Sequence, residues 1–366
     1  MPSLSIVIPV FKQPKWIGPT IAAAERAVER SGFEQAEIVV VVADSETRDV
    51  LTGLQPSLPL RVLDEQRPGR FAARQQGIEA ATGDLVLLLD SRIFIAPDAL
   101  RFVSDRIAGE EELPIWSAHF EFNVKTPYGR FWSVIIPLAW WRYYSKPRTT
   151  SFGPEDYDRF PKSTTCFLAP RALLLEAKDA FSSYYVDTRH ASDDTGLIRL
   201  LAARQPINIS PHFTCVYTPH ETYRAFMHNA FHRGKSFIDS YGRPGTRFFP
   251  LVLAYFPLSL LAAAIASRWP RLALRLAAAA PLPFAASALA LRRERPTVVA
   301  AGWVGPNWLA AMCAGLWYGL WLALRARRGG GLNKTSSEPA ETHGEDQREN
   351  GTMRRAGTTP TTPLCQ

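Results

Sequence analysis

Four acids stand where a carboxylate is available for chemistry. Asp44 follows the apolar run EIVVVVA, Asp90 follows DLVLLL, and Asp193 and Asp194 open the stretch SDDTGLIRLLAAR. A carboxylate at the tip of a buried strand can accept hydrogen bonds from hydroxyl or ring N–H groups. Together with a second acid it can hold a divalent cation. Two places after Asp90, however, stands Arg92, where a metal site would want that second acid. The segment therefore reads in three ways: a metal-dependent site, a modified site that uses the arginine, or a strand that only ends in charges. Adjacent acids such as Asp193 and Asp194 raise one pKa, which suits a base working near neutral pH. Their structural alternative is a helix start, with Ser192 as N-cap and acids in the first turn favoured by the helix dipole.

The elements that must position these residues follow from hydrophobic periodicity. LSIVIPVF at 4–11 is a strand, and Ile17, Ile21, Ala24 and Val28 share one face of a helix over 17–31. EIVVVVADSE is a second strand ending at Asp44; a helix near 46–54, a strand at LRVLDE, a helix over 70–81 and the strand DLVLLLD follow. Nearly continuous apolar strands alternating with helices predict a parallel sheet covered on both faces. Such sheets bind ligands beyond the carboxyl ends of their strands, where the strand order reverses, and both Asp44 and Asp90 fall at such ends. TTCFLAPRALLLEA predicts a strand and a helix, and Leu197, Leu200 and Leu201 predict the inward face of a further helix. GRFWSVIIPLAWWRYYSKPR, rich in Trp and Tyr, fits an aromatic-lined pocket, an interfacial helix or core aromatics of an extra subdomain.

The 366 residues carry a formal charge of +8. The arginines are scattered, and no nucleic-acid reader motif accompanies them, so no nucleic-acid partner is expected. Much of the basic excess flanks apolar C-terminal stretches, where it suits lipid headgroups. Cys166, Cys215, Cys313 and Cys365 are too dispersed for a disulfide framework. Three membrane segments are expected at about 248–266, 272–291 and 297–324, the middle one weakened by Arg275, Pro281 and Pro283. The chain then divides into 1–245, 246–328 and a polar tail, 329–366, read as disordered. With no apolar leader before the first strand, the N-terminal part is expected on the cytoplasmic side. Positive-inside counting conflicts with three spans: Arg292, Arg293 and Arg295, and also Arg325, Arg327 and Arg328, all favour the cytoplasm.

Taken in order, SIVIPVF, VVVADSETRDVL, GRFAARQQGIEAATGDLVLLLDSR and SDDTGLIRLLA resemble family 2 glycosyltransferases over roughly residues 3–240. The resemblance implies an α/β GT-A nucleotide-diphospho-sugar-binding fold with a mostly parallel central sheet, followed here by C-terminal transmembrane helices. Asp44 falls on the family acid that contacts nucleobase or ribose, in a motif shortened to Ala43-Asp44-Ser45, with a helix cap as the alternative. Gly69, Arg74 and Gly77 match a family segment of Gly, small residues, Arg-Asn and Gly, with Gln75 in place of Asn; Arg74 there reaches the nucleotide or a neighbouring acid, or else forms a surface salt bridge. Asp90-Ser91-Arg92 occupies the DxD position. There, either Arg92 screens the diphosphate, or Asp90 retains Mg²⁺ or Mn²⁺ with help from His220. Asp194 falls on the general base and Asp193 on its acidic neighbour. Arg233 and Lys235, in FHRGKSF, fall where relatives carry a diphosphate-binding basic segment.

These correspondences imply an inverting transferase at the cell membrane, multi-pass, with a cytoplasmic catalytic domain. Its partners would be a nucleotide-sugar donor and a lipid-linked or envelope saccharide acceptor, with Trp132, Trp140 and Trp141 on sugar rings or headgroups. The broken DxD keeps open a non-catalytic nucleotide-sugar-binding scaffold. A processive synthase is disfavoured by the few membrane segments.

Overall fold

The computed structural model describes residues 1–108, 113–185, 187, 189 and 193–328. Ser192 and the tail 329–366 lie outside the described residues. The strands are β1 (Leu4–Val10), β2 (Ala36–Val42), β3 (Leu60–Asp64), β4 (Leu85–Leu89), β5 (Ile93–Ile95), β6 (Ile115–Phe122), β7 (Thr150–Phe152), β8 (Cys166–Pro170) and β9 (Ile207–Tyr217). Between them run α1 (Pro14–Glu29), α2 (Ser45–Thr52), α3 (Arg70–Ala80), α4 (Ala99–Ile107), α5 (Pro127–Ala139), α6 (Trp141–Tyr144), α7 (Arg171–Ala180) and α8 (Asp193–Ala202). After β9 come α9 (Tyr223–Tyr241), α10 (Phe249–Arg268), α11 (Pro270–Ala279), α12 (Pro281–Ala290) and α13 (Arg295–Arg328).

The sheet runs β3-β2-β1-β4-β8-β6-β9-β5, with β7 on β9. Its first four strands are parallel, as their uninterrupted apolar runs predict. Alternation along them divides the core: Leu4, Ile6 and Ile8 of β1 face α1 and α4, whereas Val7 faces the side of α3, α7 and α8. Ile17, Ile21, Ala24 and Val28 are all buried, and so are Leu197 and Leu201, with Leu200 partly so. β8 joins β4 antiparallel, and β6 and β9 extend the sheet beyond it. Their sequences, IWSAHFEF and INISPHFTCVY, alternate polar and apolar residues instead of running unbroken: Ser117 and His119 stand between Trp116, Ala118 and Phe120, and Asn208 stands between Ile207 and Ile209.

Two glycines seat α3. Gly69 caps the helix at φ +123°, a conformation open to glycine. At Gly77 a Cβ would come within 2.3 Å of Val7 Cγ1, so its absence lets α3 lie close on β1.

The aromatic stretch forms α5 and α6. Phe131 and Trp132 are buried with Phe226 of α9 and Val304 of α13, while Trp141 is exposed. α9 and α13 approach through glycines: a Cβ on Gly234 would meet Met312 O at 2.1 Å, and one on Gly315 would meet Phe231 O at 2.1 Å. Three stretches, Phe249–Arg268, Pro270–Ala290 and Arg295–Arg327, are long and apolar enough to cross a membrane. The middle one consists of α11 and α12, which meet at Ala280.

Candidate active site

The strand order reverses between β1 and β4, so a crevice is expected beyond their carboxyl ends. Asp90, Ser91 and Arg92 emerge from β4 there, and their backbone is held on several sides. Asp90 N donates to Thr165 O at 2.9 Å, Ile93 N to Asp90 O at 3.0 Å, and Thr218 N to Arg92 O at 3.1 Å. Thr20 Oγ1 donates to Ser91 O at 2.8 Å. A loop tied to α1, β8 and the end of β9 holds its side chains in place before any ligand arrives.

Asp90 accepts from Arg74 Nη2 at 2.6 Å, and Arg74 is only 2% exposed. The neighbouring acid foreseen for Arg74 is thus Asp90 itself. The guanidinium neutralises the carboxylate from below, a charge-assisted bond of the stronger kind.

Arg92 Nη2 lies 3.0 Å from His220 Nε2. A guanidinium can only donate, so Nε2 accepts and the imidazole proton sits on Nδ1. Burial, joined by the charges of Arg92, Arg70, His228 and Arg233, pushes the His220 pKa down to about 3. His220 is therefore neutral at physiological pH. Burial also lowers the Arg92 pKa, with Tyr217 and Asp90 opposing and Arg70 and Arg233 adding to the effect. Arg70 and Arg233 thus lie within electrostatic reach of both Arg92 and His220.

Arg233 bonds Asn229 Oδ1 at 3.1 Å, and its guanidinium lies 4.6 Å from the Trp132 ring. Lys235, two residues on, leaves α9 in another direction. It is buried near Phe231 and Tyr318, with Nζ 5.7 and 5.8 Å from those rings. The pair read from FHRGKSF is split, with Arg233 toward the site and Lys235 toward α13.

Asp44 caps α2. Its Oδ1 accepts from Thr47 N at 2.9 Å and Thr47 Oγ1 at 2.8 Å, and its Oδ2 accepts from Lys12 N at 2.6 Å. Burial raises its pKa, but these hydrogen bonds and the Lys12 charge outweigh it and hold the carboxyl below its ordinary range. Lys12, just past β1, takes φ +51°, an uncommon conformation for a non-glycine residue. Asp44 therefore fixes the strained turn that links the ends of β1 and β2.

Asp193 and Asp194 open α8, but their side chains lie outside the described residues. The helix start is anchored by Tyr157, whose hydroxyl donates to Thr195 O at 2.7 Å, and further along by Arg199, which bonds Asp158 Oδ1 at 3.1 Å.

The described donors do not fit a divalent cation. Asp90 is engaged by Arg74, the His220 lone pair by Arg92, and more basic groups lie within electrostatic reach of His220. Among the described residues, no three His, Cys, Asp or Glu side chains converge to hold a metal.

Sequence reasoning singled out Arg92, His220 and Arg233 but missed Arg70 and His228. Arg70 immediately follows Gly69, and His228 lies on the helix of Arg233; those neighbours were the available signal. Nothing in the local pattern marked Lys12.

The parallel half-sheet, its mixed extension, in which β8 is antiparallel to β4 and β6 while β6 and β9 are parallel, and a site beyond β4 define a GT-A fold. Residues 5–174 match the family described as Glycosyl transferase family 2, and the chain carries a domain of that family. It is 28% identical over 105 residues to the uncharacterized glycosyltransferase YwdF of Bacillus subtilis, a match covering 28% of this chain and 38% of YwdF. Among solved structures, the mannosyltransferase PcManGT from Pyrobaculum calidifontis, in complex with GDP-Man and Mn²⁺, aligns with TM-score 0.50 and 18% identity over 87% of each chain. S. aureus TarS with UDP-GlcNAc aligns at TM-score 0.43 and 15% identity, over 65% of this chain and 67% of that one.

Proposed function

We propose that the chain is an inverting glycosyltransferase. It moves a sugar from a nucleotide-diphospho-sugar to a hydroxyl of a lipid-linked or envelope saccharide at the cytoplasmic face of the cell membrane. Residues 1–245 would supply the transfer site and 246–328 the membrane attachment. The observation that carries this reading is the Arg74–Asp90 pair and Arg92 at the carboxyl end of β4, with Arg70 and Arg233 within electrostatic reach of Arg92.

In this scheme Asp44, fixed by Lys12 and Thr47, accepts from the nucleobase or ribose through its remaining lone pairs. The diphosphate lies against Arg92 and Arg233, whose planar forks match its oxygens. Asp194 takes the proton of the acceptor hydroxyl while Asp193 helps hold its pKa in a working range. The acceptor oxygen attacks the anomeric carbon opposite the leaving group. The bond to the diphosphate breaks, and its electron pair leaves with the nucleoside diphosphate. Charge developing there meets guanidinium groups already in place, the arrangement that lowers a barrier without reorganisation. No step runs through a metal, because the described donors do not suit one.

The test supplies membranes carrying the chain with a panel of nucleotide sugars. Transfer of one sugar, lost about 10²–10⁴-fold in Asp194→Asn, supports the reading; equal rates in that variant overturn the base assignment. A second reading, a nucleotide-sugar-binding scaffold without catalysis, draws on the commitment of Asp90 to Arg74. Donor binding with no transfer to any acceptor would select it.

A further inference from the structure

α13 is apolar enough to be a third span, yet it is fastened along its length to the globular part. Arg130 of α5 lies 3.4 Å from Thr297 Oγ1. Val304 and Trp308 pack with Phe131, Trp132 and Phe226, and Leu316 packs with Ile238 and Tyr241. Near Gly319 stands Tyr185, whose hydroxyl donates to Lys235 O at 2.7 Å. From Thr297 to Gly319 is about 33 Å at roughly 1.5 Å per residue. That equals or exceeds the ~30 Å hydrocarbon core.

Were α13 to cross the bilayer, α9 would cross beside it. α9 carries His228, Arg233, Lys235 and Asp239, and its far end is bonded to the globular part: Asp239 accepts from Ser183 Oγ at 2.9 Å and Tyr184 N at 2.7 Å. Charged groups at that depth are expensive and need a polar cavity or partners. The opposite face of α13 is apolar and aromatic, with Val299, Trp303, Leu309, Trp317, Trp321 and Leu324 exposed. A charge-bearing helix packed along one side and a Trp-rich apolar face on the other suit a helix lying in the interface.

The remaining apolar helices fit that depth. α10 crosses α13 near its own start: Tyr255 OH donates to Cys313 O at 3.0 Å, and Phe256 stacks edge-on with Trp317 at 5.0 Å. α12 crosses α13 about its own middle, in the last part of the α11–α12 segment: Pro281 and Ala285 lie against Gly302, Phe284 fills the space beside Gly305, and Ala288 is buried with Ala301. Both crossings lie about 5–10 Å inside those helices, the depth at which an interfacial helix rests. Between the crossings the chain runs out to Trp269 and returns, and α11 buries none of its residues. The return ends on the globular part, where Arg293 Nη2 donates to Ser133 O at 2.9 Å.

We propose that α13 lies flat on the bilayer, and that only α10 and the α11–α12 segment cross, as a hairpin with both ends on the globular side. Arg292, Arg293, Arg295, Arg325 and Arg327 then lie on the same side of the bilayer. The conflict in positive-inside counting disappears, because two crossings return the chain to its starting side. The inference rests on the proposed membrane attachment but not on the transfer chemistry.

Sidedness of single thiols tests it in the full chain, with Cys313→Ser and Cys365→Ser as background; Cys166 and Cys215 are buried. Exposed positions are replaced singly, by Gln55→Cys on the globular part, Arg271→Cys at the hairpin tip and Arg327→Cys at the end of α13. In intact cells an impermeant maleimide is expected to label the Arg271→Cys protein alone. The other two should react only after the membrane is opened. Labelling of the Arg327→Cys protein from outside, with the Gln55→Cys protein protected, would make α13 a span and overturn the proposal. Protection of the Arg271→Cys protein would overturn the hairpin. Release of the parent chain by alkaline carbonate would remove the membrane attachment itself, and the proposal with it.

Discussion

Asp44 and Asp90 end strands that flank β1 on either side, and in the sequence they look alike. In the structure they are held by different means. Asp44 is engaged by the backbone of Lys12 and Thr47 and by the Thr47 hydroxyl, within one turn and one strand end. Asp90 is engaged by the buried side chain of Arg74 and lies beside Arg92, which has Arg70 and Arg233 within electrostatic reach. A strand-end acid is thus a position, and the neighbours decide its work: Asp44 shapes a turn, whereas Asp90 organises charge.

Removing each acid should separate these roles. Asp90→Ala removes one charged partner of the buried Arg74, a loss expected to cost about 1.5–3 kcal/mol in chemical or thermal unfolding. The double variant Asp90→Ala/Arg74→Met should recover much of that stability; equal instability of the two would deny the pair its place in the fold. Arg92→Ala should leave the melting temperature nearly unchanged while lowering sugar transfer about 10²–10³-fold, the usual effect of removing one prepositioned charge donor. Asp44→Ala should cost about 1–2 kcal/mol, the value of an N-cap. Its refolding-corrected activity should fall mainly through a weaker donor KM. If Asp44→Ala proved costlier to stability than Asp90→Ala, the contrast between the two acids would be reversed.

The smallest effect concerns pH. The His220 pKa is about 3 when folded, against an ordinary value of 6.5. Between those values the unfolded chain binds more protons, so this contribution to stability is present above about pH 6.5 and fades as pH falls toward 3. Melting temperatures at pH 7.5 and 5 should therefore differ less in His220→Gln than in the parent. His119, pushed down to about 4 by burial, acts in the same window in both proteins and cancels in the comparison.

The parallel half of the fold was legible because β1, β2 and β4 are unbroken apolar runs stopped by acids or turns. β6 and β9 carry a different signal: Ser117 and His119, and Asn208 and His212, alternate with apolar residues, a period-two pattern less conspicuous than an unbroken apolar run. Among site residues, Arg92 and Arg233 could be named from order along the chain, but the Arg74–Asp90 pair is a tertiary contact that local pattern left open. Lys235 shows the converse. It shares a basic motif with Arg233, yet helix geometry sends it toward α13, a direction visible only once α9 is known to be a helix. Composition likewise records the apolarity of α13 and not the charge-bearing α9 packed along it.

The central claim is that guanidinium groups, rather than a divalent cation, meet the departing diphosphate. Its most direct test is sugar transfer by membranes carrying the parent chain, measured with excess chelator and then with added Mn²⁺. The account predicts that transfer survives chelation and gains little from Mn²⁺. Transfer abolished by the chelator and restored by Mn²⁺ would contradict it.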